Sequence, residues 1–100
     1  MSWVKEALES LKKDGHAQIR PIGGSMRGRI ESGQLVTLKS ANYHDVEIAD
    51  VIFIRWKGNY LLHLIVDKKD EELLIGNNVG KINGWIPAEA VIAKVILVED

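Results

Sequence analysis

The run Val51-Ile52-Phe53-Ile54-Arg55-Trp56-Lys57-Gly58-Asn59-Tyr60-Leu61-Leu62-His63-Leu64-Ile65-Val66 decides the fold. Two stretches rich in β-branched and aromatic residues flank Gly58-Asn59, and both of those residues tolerate the positive φ angles that a tight primed turn requires. The expectation is a β-hairpin closed by a two-residue turn. With Lys57 paired to Tyr60, Ile54 falls opposite His63, and Ile52, Trp56, Leu61 and Ile65 share that face. A lone imidazole among apolar neighbours reads, by itself, as a core histidine bonded to some backbone group.

Outward from the hairpin, the same alternation continues on both sides. Downstream, a charged turn at 67–70 leads to a strand at 71–75. Residues 76–85, with Gly76, Asn77, Asn78, Gly80, Asn83 and Gly84, read as a long structured loop. No Gly-Lys-Ser/Thr pattern makes that loop a phosphate cradle. Residues 87–90 suit one helical turn, and 91–98 a closing, mostly buried strand. Upstream, 34–39 alternates as a half-buried strand and 40–47 is polar and turn-like. His44 beside Asp45 supplies two neighbouring donors on a loop, which is not a metal site, and no metal or other cofactor is expected. Residues 16–22 form a further strand, with Ala17 and Ile19 on one side, an exposed His16 at its start and Pro21 ending its pairing. Before it, residues 2–15 read as a helix with Ser2 as N-cap and Gly15 as its stop, and Trp3, Val4, Ala7, Leu8 and Leu11 form one apolar stripe.

Composition limits what this chain can be. One hundred residues, 46% of them hydrophobic, can bury one modest core, so a single domain spans 1–100: a helix over 1–15 and a β core over 16–100. The fold class is mainly β, a small bent antiparallel sheet or partly open barrel with one N-terminal helix. Thirteen basic residues nearly balance fourteen acidic ones, which gives no footprint for nucleic acid. There is no cysteine, hence no disulfide framework. No apolar run approaches the ~20 residues of a membrane span, and the N-terminus lacks a secretory signal. A soluble, cytoplasmic chain without a transmembrane anchor is expected, with homodimer formation left open.

The remaining stretch is Pro21-Ile22-Gly23-Gly24-Ser25-Met26-Arg27-Gly28. Adjacent glycines let a turn expose the Ser25 hydroxyl while the amides around Gly24 to Met26 point outward, an arrangement that suits a nucleophile beside an oxyanion site. An incidental serine on a surface turn is the plain alternative. Arg20, Arg27 and Arg29 surround the turn, either as a solvated rim or as a preference for an acidic substrate segment.

Taken together, Ser25-Met26 and the later strand bearing His63 resemble the LexA and type I signal peptidase superfamily of serine peptidases. The resemblance extends through Ile30 to Val36, where the family has a glycine (here Gly33) and a strand. It continues in Ala49-Asp50-Val51-Ile52, similar to the family's Gly-Asp-Ile-Val, in Ile75-Gly76-Asn77-Asn78, similar to its Gly-Asp-Asn, and in Lys94-Val95 on the last strand. It implies a stand-alone peptidase core covering roughly 19–98, with Ser25 as nucleophile and His63 as general base in place of the lysine of bacterial members. Signal peptidases of the endoplasmic-reticulum type use histidine there. The chain departs from the family at Gly28, where many members have proline, and at Asn77, Asn78 and Asn83, where the histidine-type enzymes supply an aspartate. Asn77 is then the candidate orienter of the ring, and Gly24, Met26 and Arg27 line the oxyanion and substrate site. A desolvated imidazole facing Ser25 would be ready to accept its proton. The expected function is a serine endopeptidase cleaving itself or a partner protein; the alternative is a non-catalytic peptide-binding or regulatory module on the same fold.

Overall fold

A computed structural model describes residues 3–21, 28–78 and 80–100. The helix α1 (Trp3–Asp14) leads into strand β1 (His16–Ile19), followed by β2 (Leu35–Ser40), β3 (Val51–Trp56), β4 (Asn59–Lys69), β5 (Glu72–Gly76), β6 (Ile82–Pro87) and β7 (Val91–Glu99). The strands form one antiparallel sheet in the order β1-β2-β7-β3-β4-β5-β6. Consecutive hairpins carry the chain from β3 to β6, and β7 then returns to pair with both β2 and β3, joining the two halves. The fold is mainly β with one N-terminal helix, as expected, and the sheet stays open. Register shifts at Thr37/Leu38, Phe53/Ile54, Ile65/Asp67 and Ile75/Gly76 are the bulges that bend it.

Helix α1 stops where Gly15 takes a φ of +75° and its N–H donates to the Leu11 carbonyl at 2.9 Å. The proposed cap, Ser2, lies outside the described residues. Ala7 and Leu11 are buried, and Trp3, Val4 and Leu8 pack beside them against Ala17, Ile19, Val36, Leu38 and Phe53. The Trp3 ring sits 5.6 Å from that of Phe53. The apolar stripe is therefore consumed by the protein's own sheet. A second cluster on the opposite face joins Ile52, Ile54, Ile65, Leu73, Ile75 and Ile86, covered by Val46 and Tyr43 from the 41–50 connection. Lys68 pins that connection: its Nζ donates to the carbonyls of Tyr43 (2.9 Å) and Val46 (2.6 Å) and lies 4.5 Å from the Tyr43 ring centroid.

Four expectations are corrected. The hairpin turn is Lys57-Gly58, with φ of 52° and 77°, so Trp56 pairs with Asn59 and His63 lies opposite Ile52 instead of Ile54. A primed turn favours glycine in its second central position, which selects this pair. Moving the turn by one residue moves every partner by two, so the faces are unchanged. The next turn is Asp70-Glu71, also at positive φ, and β4 runs on through 67–69. Part of the supposed 76–85 loop is strand: Gly76 ends β5 and residues 82–85 open β6, with a register shift between Ile75 and Gly76. Finally, β7 is not mostly buried, because Ile96 and Leu97 remain 47% and 50% exposed.

Candidate functional site

His63 is the only polar or charged residue buried among the described residues, with 7% of its surface exposed. Its position follows from strand geometry. Directly opposite Ile52 in the ladder, it shares the face of the second core, and its place on β4 is fixed by pairing with β3 on one side and by Leu64↔Gly76 on the other. The ring Nδ1 is bonded to the Leu62 carbonyl oxygen. A carbonyl can only accept, so Nδ1 carries the proton and the lone pair of the neutral ring is on Nε2. That is the tautomer a general base needs when its outer nitrogen faces a hydroxyl.

Ser25, Gly24, Met26 and Arg27 lie outside the described residues, but both ends of their segment are placed. At the entry, the Pro21 carbonyl accepts from Gly33 N–H at 3.1 Å, and Arg20 Nη1 donates to the Gly33 carbonyl at 2.8 Å. At the exit, Gly28 N–H donates to Glu31 Oε2 at 2.7 Å. Gly28 has a φ of +97°, and a Cβ there would lie 2.8 Å from Asn78 Nδ2. Proline, with φ fixed near −65°, cannot occupy that conformation. A hydrogen bond and a close approach hold the chain at Gly28.

Two bridges connect this exit to the strand of His63. Arg29 Nε donates to Asn78 Oδ1 at 2.8 Å, and Asn78 follows two residues after Gly76, the ladder partner of Leu64. Arg29 Nη1 also donates to the Ala49 carbonyl at 3.3 Å, while Ala49 N–H donates to the Ile65 carbonyl and Ile65 N–H to the Asp50 carbonyl, each at 2.9 Å. The chain at Arg29 is thus tied to the Leu64–Ile65 part of β4, beside the imidazole.

Asn77 closes a turn. Its Oδ1 accepts from Lys81 N–H at 2.9 Å and its own N–H donates to the Lys81 carbonyl at 2.9 Å, closing the 77–81 turn. The ring Nδ1 of His63 is bonded to the main chain at Leu62. Asn83 Oδ1 is buried with no hydrogen-bond partner among the described residues. Asp67 is exposed and accepts from Lys68 N–H at 2.7 Å. His16 is exposed, with Nδ1 3.4 Å from the Asp14 carbonyl, and His44 sits in the short 3₁₀ turn capped by Asn42. Among the described residues, no group of three His, Cys, Asp or Glu side chains could hold a metal, and no helix is long and apolar enough to cross a membrane.

The bond from the buried His63 ring to a backbone group was expected of a core histidine; that the group is the Leu62 carbonyl has no signal in residue type. Sequence reading missed Ala49, whose φ of +80° gives it a glycine's conformation at the position where the resemblance sets a glycine. The other glycines of that resemblance are structurally demanded as well: Gly33 has a φ of +88°, and a Cβ on Gly76 would collide with the Lys81 carbonyl oxygen. No family model matches the chain, and no curated protein matches it.

Proposed function

We propose that this chain is a serine endopeptidase of the LexA and type I signal peptidase kind, cleaving itself or a partner protein with Ser25 and His63. The observation that supports the reading is the pair of bridges from Arg29, through Asn78 and through Ala49, which tie the chain just after the serine segment to the Leu64–Ile65 part of β4, next to the buried histidine. The left-handed or Cβ-excluding backbone at Gly33, Ala49 and Gly76 supports it independently. In this mechanism His63 Nε2 takes the Ser25 proton as Oγ attacks the peptide carbonyl, and the amides around Gly24 to Met26 receive the oxyanion. The imidazolium returns its proton to the leaving amine, and water, deprotonated by the same nitrogen, releases the acyl group. The Leu62 carbonyl keeps the ring in the useful tautomer. It carries only a partial negative charge, so it stabilises the imidazolium less than a carboxylate would.

That last point favours a second reading, a peptide-binding module with little turnover. Cleavage of the chain or of a co-expressed partner separates the two. The peptidase loses all cleavage in Ser25→Ala and in His63→Ala while both variants stay folded. Wild-type protein with no cleavage across a broad pH range gives the binding module.

A further inference from the structure

Strand β7 has one edge that no described strand covers. Its residues 95–99 pair with β2 from Leu38↔Val95 to Leu35↔Glu99, but pairing with β3 stops at Ile52↔Lys94, because the chain before Val51 turns away to bond Ile65. The divergence opens a groove of about 480 Å³, with residues 95–98 on one wall and Ala49, Asp50 and Val51 on the other, and with Arg29 and Ile30 completing it. Ile96 and Leu97 are half exposed there, so four consecutive apolar residues lie along an open edge. Uncovered edges of this composition pair readily with another chain.

We infer that this groove binds an extended peptide carrying a carboxylate, added as a strand to the free edge of β7 with its acidic side chain on Arg29. Two features select that occupant. The groove has a wall on each side, so the entering chain must have both edges free; the edge of a second copy's sheet brings β2 with it and does not fit. The Arg29 guanidinium meets only the uncharged oxygens of Asn78 and Ala49 among the described residues, which leaves its charge available for a charge-assisted bond. Asp50, which lines the groove beside Arg29, accepts from Glu47 N–H through Oδ2 at 2.9 Å. Main-chain pairing supplies affinity and the arginine supplies selection. The inference rests on the proposed function only in taking the ligand to be a peptide.

The test uses the full chain as Ser25→Ala, so that no cleavage interferes and a failure of docking stays distinct from a failure of the dyad. Capped octapeptide pools of Val, Leu and Thr with one central Glu, or one central Gln, are titrated onto ¹⁵N-labelled protein. The Glu pool should shift the amide signals of Arg29, Ala49 and residues 95–98 and bind about 5- to 10-fold more tightly than the Gln pool. Arg29→Gln should erase that preference while the shifts on β7 persist. A pool N-methylated at alternate amides should not bind. Leu97→Glu, at an exposed position, should keep its melting temperature and lose the Glu pool by like-charge repulsion. Equal binding of the two pools, shifts mapping elsewhere, no saturable shift at millimolar peptide, or Leu97→Glu binding the Glu pool as before would each overturn the inference. So would β7 amide shifts that depend on protein concentration alone, which would assign the edge to a second copy.

Discussion

On one face of β3, Val51 and Phe53 pack under α1 with Ala7 and Leu11; on the other, Ile52 and Ile54 meet Ile65, Ile75 and Ile86, and the imidazole of His63 stands directly across the ladder from Ile52. The helix-side core consists of apolar side chains alone. The opposite core contains the buried titratable group. Strand periodicity sorts the two, since alternate residues of β3 and β4 face opposite ways. The difference teaches that one hairpin can hold a scaffold on one side and a buried titratable group on the other.

The comparison breaks most visibly at Phe53. Phe53→Ala removes a fully buried ring that meets Trp3 and Tyr60, and should cost about 3–5 kcal/mol in denaturant unfolding. If the cost fell below about 1 kcal/mol, the helix-side core would not be the scaffold.

On the other face, a histidine kept for chemistry and one kept for packing respond differently. His63→Leu retains volume and apolar contact with the second core, and should change stability by less than about 1 kcal/mol while ending cleavage. A loss of about 3 kcal/mol or more would make His63 a structural residue, and the contrast between the faces would dissolve.

A smaller effect concerns the link between the site and β4. Ala49 holds a φ of +80° while its N–H bonds the Ile65 carbonyl. Ala49→Gly should therefore stabilise the fold by up to about 1 kcal/mol, because relief of the left-handed strain outweighs the extra freedom of the unfolded chain. A destabilised glycine variant would show that the alanine methyl is packed to advantage.

How much of this was legible in the sequence depends on what each signal encodes. The alternation over 51–66 gives the faces of β3 and β4, and hence the burial of His63. It cannot choose between in-phase registers, so the partner of His63 came out two residues away. The four apolar residues Val95 to Val98 suggested a buried strand, since composition does not reveal that β3 turns away at Val51. Gly84 and Asn83 made β6 look like loop, although a Cβ at Gly84 would lie 3.7 Å from the Trp56 ring. The glycine turn pointed to Ser25, and the alternation placed His63. A backbone partner for the buried ring was expected, but which carbonyl it would be left no trace, because every residue has one.

The most direct test asks whether Ser25 and His63 meet. The chain contains no cysteine, so Ser25→Cys introduces a single thiol whose alkylation can be followed without background. A thiol beside an imidazole forms an ion pair and is deprotonated below its ordinary range. At pH 6, iodoacetamide should therefore modify Ser25→Cys at least about tenfold faster than a single cysteine placed at the exposed Lys12, and adding His63→Gln should abolish the difference. Equal rates with and without His63 would contradict the dyad.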